Sequence, residues 1–218
     1  MYNRYTDGLI FTDRRDGGRQ LASKLEIYKD MEGVLVLALP RGGVVIGYEV
    51  ASYLNCPLDV IIVMKLGLPG RSELAIGAIS ETGIVVLNKD VISSYGIQNE
   101  YIMDEILRQD EIIEKRVNMY RKGERISDLK GKIVILVDDG AATGATMKVA
   151  ISTLKAEDIK KLIVAIPVAP PDTAEELRPM VDELICLNMP YEFLAVGEYY
   201  QNFEQITDKE VVEILVML

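Results

Sequence analysis

Blocks of aliphatic residues recur along the chain, each closed by a turn of small residues and followed by a segment with helical spacing. Val34–Leu39 and Ile133–Val137 contain no polar residue, which predicts strands buried on both faces, as in a parallel sheet covered by helices. Pro57–Met64, Leu162–Val168 and Glu183–Leu187 read as further core strands, and Ala78–Ile79 and Ile84–Leu87 as short ones around a turn at Glu81–Gly83. A helix is expected over 13–29, capped by Asp13, with Leu21, Leu25 and Tyr28 on its apolar face and its first turns weakened by Gly17 and Gly18. Others are expected at Val44–Leu54, from the region of Met147 to Ala156, and at Thr173–Met180. Strands alternating with helices define an α/β fold with a mainly parallel sheet.

Two segments carry a less decided pattern. Asn99–Lys122 reads as one long helix with a stripe at Met103, Ile106, Ile113, Val117 and Tyr120, interrupted at Asp110 and supported by the i,i+4 pairs Asp104–Arg108 and Glu111–Lys115. Such a stripe suits packing on its own domain, a subunit contact or a cover over a site. Val211–Met217 fits a terminal helix or a strand equally well.

Composition narrows the chemistry. With 218 residues, 49% of them hydrophobic, the chain can bury a full core as one domain over 1–218. No apolar run reaches membrane-spanning length, and the opening residues Met1–Thr6 lack an apolar export signal. A net charge of −10 disfavours a nucleic-acid binder. Cys56 and Cys186 are too few for a disulfide scaffold or zinc cluster and read as buried thiols, so a cytoplasmic setting is expected. The chain has no histidine, which removes Ser-His-Asp and Cys-His machinery and every His-ligated metal.

The chemistry concentrates in Lys132–Met147. A buried strand ends in Asp138 and Asp139, and a turn of small residues, Ala141, Ala142, Thr143, Gly144, Ala145 and Thr146, opens the next helix. Backbone N–H groups there can close on an anion, helped by the helix N-terminus and two hydroxyls. Carboxylates beside a phosphate cradle suit a ligand such as a ribose 5-phosphate. Leu39-Pro40-Arg41-Gly42-Gly43 repeats the strand, glycine turn, helix arrangement without matching GxGxxG or a Walker loop. Lys65–Gly77, with three glycines, a proline, Lys65, Arg71 and Glu73, reads as a mobile basic loop or an ordinary surface loop. Arg14 and Arg15 fit solvated helix charges, or one of them could face a ligand.

Residues 134–147, with Val137-Asp-Asp-Gly-Ala-Ala-Thr-Gly-Ala-Thr146, closely resemble the signature of the type I phosphoribosyltransferases. Leu39–Gly43 is similar to that family's pyrophosphate loop and Lys65–Gly77 to its flexible loop, so the resemblance spans most of 34–168. It implies a three-layer α/β/α fold: a core at about 30–187, a small variable hood from the N-terminal segment and about 188–218, and a helical insertion at about 98–122. It also implies transfer of ribose 5-phosphate from phosphoribosyl pyrophosphate to a nitrogenous base, with Mg²⁺ as cofactor. Asp138 and Asp139 would hold the ribose hydroxyls, directly or through metal-bound water. Ala141–Thr146 would take the 5′-phosphate. Arg41, Gly42 and Gly43 would meet the pyrophosphate, in a loop that often holds a non-proline cis peptide. Lys65, with Arg71, would close over the leaving group. Ala142 stands where 6-oxopurine enzymes carry an aspartate and adenine enzymes an alanine, which favours an amino-substituted acceptor and leaves Glu73 as a substitute base. Five aromatic residues between Tyr191 and Phe203 occupy the hood position. A homodimer is expected. The alternative is a sensor that binds phosphoribosyl pyrophosphate or a nucleotide without turnover.

Overall fold

A computed structural model describes residues 8, 10–68, 70–124, 126 and 129–217, with 71–74 described by backbone alone. The chain runs through α1 (Arg14–Lys24), β1 (Val34–Ala38), α2 (Gly43–Leu54), β2 (Leu58–Val60), β3 (Val63–Leu68), β4 (Arg71–Ser80) and β5 (Val85–Leu87). It continues through α3 (Lys89–Tyr95), α4 (Asn99–Arg121), β6 (Ile133–Val137), α5 (Ala145–Ala156), β7 (Lys161–Val168), α6 (Pro171–Leu177), β8 (Glu183–Asn188) and α7 (Asp208–Leu215).

Five strands form a parallel sheet in the order β2-β1-β6-β7-β8. Alternate residues of β1 face opposite layers, as the two-residue period requires. Val34, Val36 and Ala38 pack with apolar residues of α1, α2, α4 and α7. Leu35 and Leu37 pack with α5 and with Leu177 of α6. The α/β/α architecture with a parallel central sheet is therefore as expected.

Three elements differ from expectation. Pro57–Met64 is not one strand: β2 ends at Val60 in the central sheet, and β3 starts at Val63 in a separate antiparallel sheet ordered β3-β4-β5. Ile61 and Ile62 between them are fully buried, so the unbroken apolar run conceals the change of sheet. The segment read as a loop, Lys65–Gly77, lies in the β3–β4 hairpin, where Lys65 pairs with Ala78 and Leu66 with Gly77. Its glycines mark a tight turn and a bulged register, while Leu66 and Ile76 are fully buried. Finally, the α4 stripe packs on the core at Ile106, Ile113, Val117 and Tyr120 as expected, but Met103 points to solvent and Ile102 and Glu105 are buried instead. Arg108 pairs with Glu105 rather than with Asp104.

Val211–Leu215 is helical. Thr207 and Glu210 form a reciprocal capping box ahead of it, satisfying N–H groups that the first turn leaves open. Gly17 and Gly18 are buried. A Cβ at Gly18 would stand 2.8 Å from Cβ of Glu49, so Gly18 lets α1 lie against α2, while Gly17 packs on Pro167 and Tyr200. No helix among the described residues is long and apolar enough to cross a membrane.

Candidate functional site

The sheet order reverses between β1 and β6, and the carboxyl ends of adjacent parallel strands at such a point open a crevice. The turn after β1 contains a cis peptide between Pro40 and Arg41. The turn after β6 presents the two carboxylates. These turns touch: a Cβ on Gly43 would lie 2.9 Å from Cα of Asp138, and one on Gly42 would lie 2.0 Å from Oδ2 of Asp139. No side chain fits at either position, which is the physical reason for the glycine pair.

A cleft of about 910 Å³ opens beside this contact. Lys65, Asp138 and the whole run from Gly140 to Thr146 line it, as does Val196 from the tail. Another wall is Val86–Val91, at the end of β5 and the start of α3. The turn ends in α5, with Gly144 at the N-cap, so the helix's first N–H groups lie at the cleft. Ala142 and Thr143 are exposed there. The hydroxyl of Thr173 donates to the Ala142 carbonyl at 2.6 Å and anchors the turn from α6.

Lys65 reaches the cleft because it sits on a strand. Its neighbours Met64 and Leu66 point to the other side, where they join the core that α4 helps to form. Helix α4 grips this strand at several points. Tyr101 donates its hydroxyl to the Gly67 carbonyl at 3.0 Å, and Arg116 reaches Sδ of Met64 at 3.2 Å. The side chains of Arg71 and Glu73 lie outside the described residues.

The two carboxylates have unequal surroundings. Asp138 lines the cleft, and its Oδ1 accepts the Asp139 backbone N–H at 2.8 Å. Asp139 does not line the cleft; its Oδ2 is 2.7 Å from Nε of Arg14. Burial pushes the Asp138 carboxyl well above the ordinary aspartate value, and the Asp139 charge adds to this. Burial also raises Asp139, but Arg14 pulls against it. Arg14 is itself 8% exposed.

Sequence reasoning thus placed Lys65, Asp138 and Ala141–Thr146 where the structure brings them together. Arg41, Gly42, Gly43 and Asp139 are not cleft-lining residues; Gly43 packs on Asp138 and Gly42 on Asp139. Arg14, for which the sequence allows two readings, pairs with a carboxylate 125 positions away. The aromatic residues of the tail make other contacts. Tyr200 donates to the Asp139 carbonyl at 2.5 Å, Phe203 lies under the Arg14 guanidinium, and Phe193 stacks on Tyr199. The described tail residue that lines the cleft is Val196, for which the sequence carries no signal. The wall at Val86–Val91 was also missed, because a short strand followed by a seven-residue helix has no distinctive pattern.

The family profile "Phosphoribosyl transferase domain" matches residues 13–201. Two Mycobacterium tuberculosis proteins, from strains CDC 1551 and H37Rv and each named "Putative phosphoribosyl transferase", are 44% identical to the chain over 207 residues. The match covers 94% of this chain and 46% of theirs, so the chain spans about half the length of these curated relatives. The crystal structure of TT1426 from Thermus thermophilus superposes with a TM-score of 0.80 at 41% identity, over 95% of this chain and 98% of that one. With the profile covering most of its length, the chain belongs to the phosphoribosyl transferase domain family.

Proposed function

We propose that the chain transfers ribose 5-phosphate from 5-phosphoribosyl 1-pyrophosphate to a nitrogenous base and releases pyrophosphate. The observation that carries this reading is a single cleft lined by a carboxylate, Asp138, an ammonium, Lys65, and an anion-binding turn, Gly140–Thr146. These are complementary to ribose hydroxyls, to a leaving group and to a terminal phosphate.

In the reaction the bond from C1 to the pyrophosphate oxygen breaks and a bond from C1 to the base nitrogen forms. Positive charge develops on the sugar ring, as in glycoside chemistry. Asp138 holds the ribose hydroxyls and favours that charge. The N–H groups of the turn and of α5 fix the 5′-phosphate. Lys65 takes up charge on the departing pyrophosphate, as a cation already in place can. Arg71 and Glu73, on the hairpin arm, are assigned to the same leaving-group end and to the base, respectively.

The residues fit Mg²⁺. Arg14 pairs with Asp139, so among the described residues the cleft-lining Asp138 carboxylate has no cation beside it, and a divalent cation there would offset its charge. Among the described residues no group of three or more His, Cys, Asp or Glu could cage a metal. Asp138, with Asp139 behind it acting through water, would therefore hold the ion together with substrate oxygens, the usual arrangement for Mg²⁺. When bound, Mg²⁺ supplies charge compensation on the pyrophosphate.

Ala142 leaves no carboxylate in the turn to contact the base, consistent with an amino-substituted acceptor. A homodimer in the cytoplasm completes the reading. Incubation with phosphoribosyl pyrophosphate, Mg²⁺ and a panel of nucleobases should release pyrophosphate with one of them. Tight binding of phosphoribosyl pyrophosphate with no release across the panel would instead favour a sensor.

A further inference from the structure

We infer that Arg14 is a positioning residue of this site, holding Asp139 against the Gly42–Gly43 turn so that the adjacent carboxylates divide the work and Asp138 alone meets the ligand directly. The inference rests on the phosphoribosyl pyrophosphate reading above. Three segments remote in sequence meet at Asp139. From α1, Nε of Arg14 is 2.7 Å from Oδ2. From the turn after β1, Gly42 packs so closely that an added Cβ would stand 2.0 Å from Oδ2 and 2.8 Å from Nε of Arg14. From the tail, the Tyr200 hydroxyl donates to the Asp139 carbonyl at 2.5 Å.

Arg14 is held in turn. Its Nη1 donates to the Glu204 carbonyl at 2.7 Å, and its guanidinium stands 3.7 Å from the centre of the Phe203 ring. A guanidinium clamped at its carboxylate, a carbonyl and an aromatic face has little freedom to move with Asp139. Swinging the Asp139 carboxylate toward the cleft would leave both partners of a largely buried pair uncompensated, which is costly. Among the described residues no cation pairs with the Asp138 carboxylate, whose contacts are with Asp139 and whose side chain lines the cleft. Chemically, Asp139 braces the pyrophosphate turn while Asp138 addresses the sugar. The tail from Tyr200 to Glu204 thereby belongs to the support of the acidic pair rather than to base stacking.

The test is a double-mutant cycle on phosphoribosyl pyrophosphate affinity, measured by calorimetry in Mg²⁺. Arg14→Gln and Asp139→Asn are each expected to weaken binding about tenfold, and the double variant to be no worse than either single change, because both remove one interaction. Asp138→Asn should add its loss to that of Arg14→Gln. Low guanidinium concentrations should restore affinity to Arg14→Gly and leave Asp138→Asn unaffected. Should Arg14→Gln fail to fold, Arg14→Lys and Phe203→Leu carry the same comparison, with losses smaller than that of Asp139→Asn and non-additive with it. Native-like affinity in the Arg14 variants, or additive losses for Arg14 and Asp139, overturns the inference and leaves the proposed function standing. A native protein that does not bind phosphoribosyl pyrophosphate overturns both.

Discussion

Gly43 and Asp138 stand so close that a Cβ on the glycine would lie 2.9 Å from both Cα and Oδ1 of the aspartate. The turns after two neighbouring strands are thus packed closely together, with the carboxylate at the seam. Gly43→Ala is expected to push Asp138 out of place, costing about 1–3 kcal/mol of stability as overpacking does. It should also lower phosphoribosyl pyrophosphate affinity by more than tenfold while circular dichroism stays native. Affinity unchanged in a folded Gly43→Ala protein would show that the seam has no part in binding.

Lys65 faces the cleft while Met64 and Leu66 face the core, so the substitution falls on the cleft side of the strand. Lys65→Met should lower turnover on the order of 10²-fold, comparable to losing one transition-state donor, with a smaller effect on ligand affinity. Rapid turnover in Lys65→Met would move the leaving-group role elsewhere.

Arg121 closes α4 onto the sheet edge through Asp59, at 3.9 Å, and through Glu81. Burial raises both carboxyls above their ordinary values. Removing the cation strands two buried acids, so Arg121→Met should cost about 3–5 kcal/mol in urea unfolding at neutral pH. The penalty should shrink in acid, where both carboxyls take up protons. A variant as stable as the native chain would mean that these charges are already solvated.

Glu183 accepts hydrogen bonds from the Tyr28 hydroxyl and from Lys161, the latter at 2.9 Å. Burial works against the charged carboxylate, but these bonds outweigh it and hold the carboxyl below its usual value. A carboxyl held low in the folded state stabilises above its unfolded pKa of about 4.3, and that stability is lost as pH falls through the folded value. The site is partly open to water, so Glu183→Gln should cost no more than about 1 kcal/mol at pH 7. Thermal scans should show the native and variant proteins converging below about pH 4. A gap that is constant with pH would exclude the carboxylate charge as its source.

Much of the fold was legible because its signals are local. Val34–Ala38 and Ile133–Val137 are apolar throughout and emerge buried on both faces. The turn at Ala141–Thr146 declares itself by small residues ahead of a helix, and the turn at Arg41–Gly43 by its glycines. The hairpin at Lys65–Gly77 resembles a loop in sequence because glycine serves bulged strands and tight turns as well as loops, and its period-two burial, at Leu66 and Leu68, is short. The change of sheet at Ile61–Ile62 left no trace, since both residues are buried whichever sheet they join.

What the sequence determined by itself, then, is the alternation of strand and helix and the chemical content of each turn, since side-chain period and turn residues act over a few positions. Which carboxylate lines the cleft was decided only in the tertiary structure. Asp138 and Asp139 are equivalent as letters in a motif. They become different when α1 sets Arg14 within 2.7 Å of Asp139 and the tail sets Phe203 beneath that guanidinium. Such a pairing depends on how helix, sheet end and tail pack together, and charge pairing across 125 residues has no local signature.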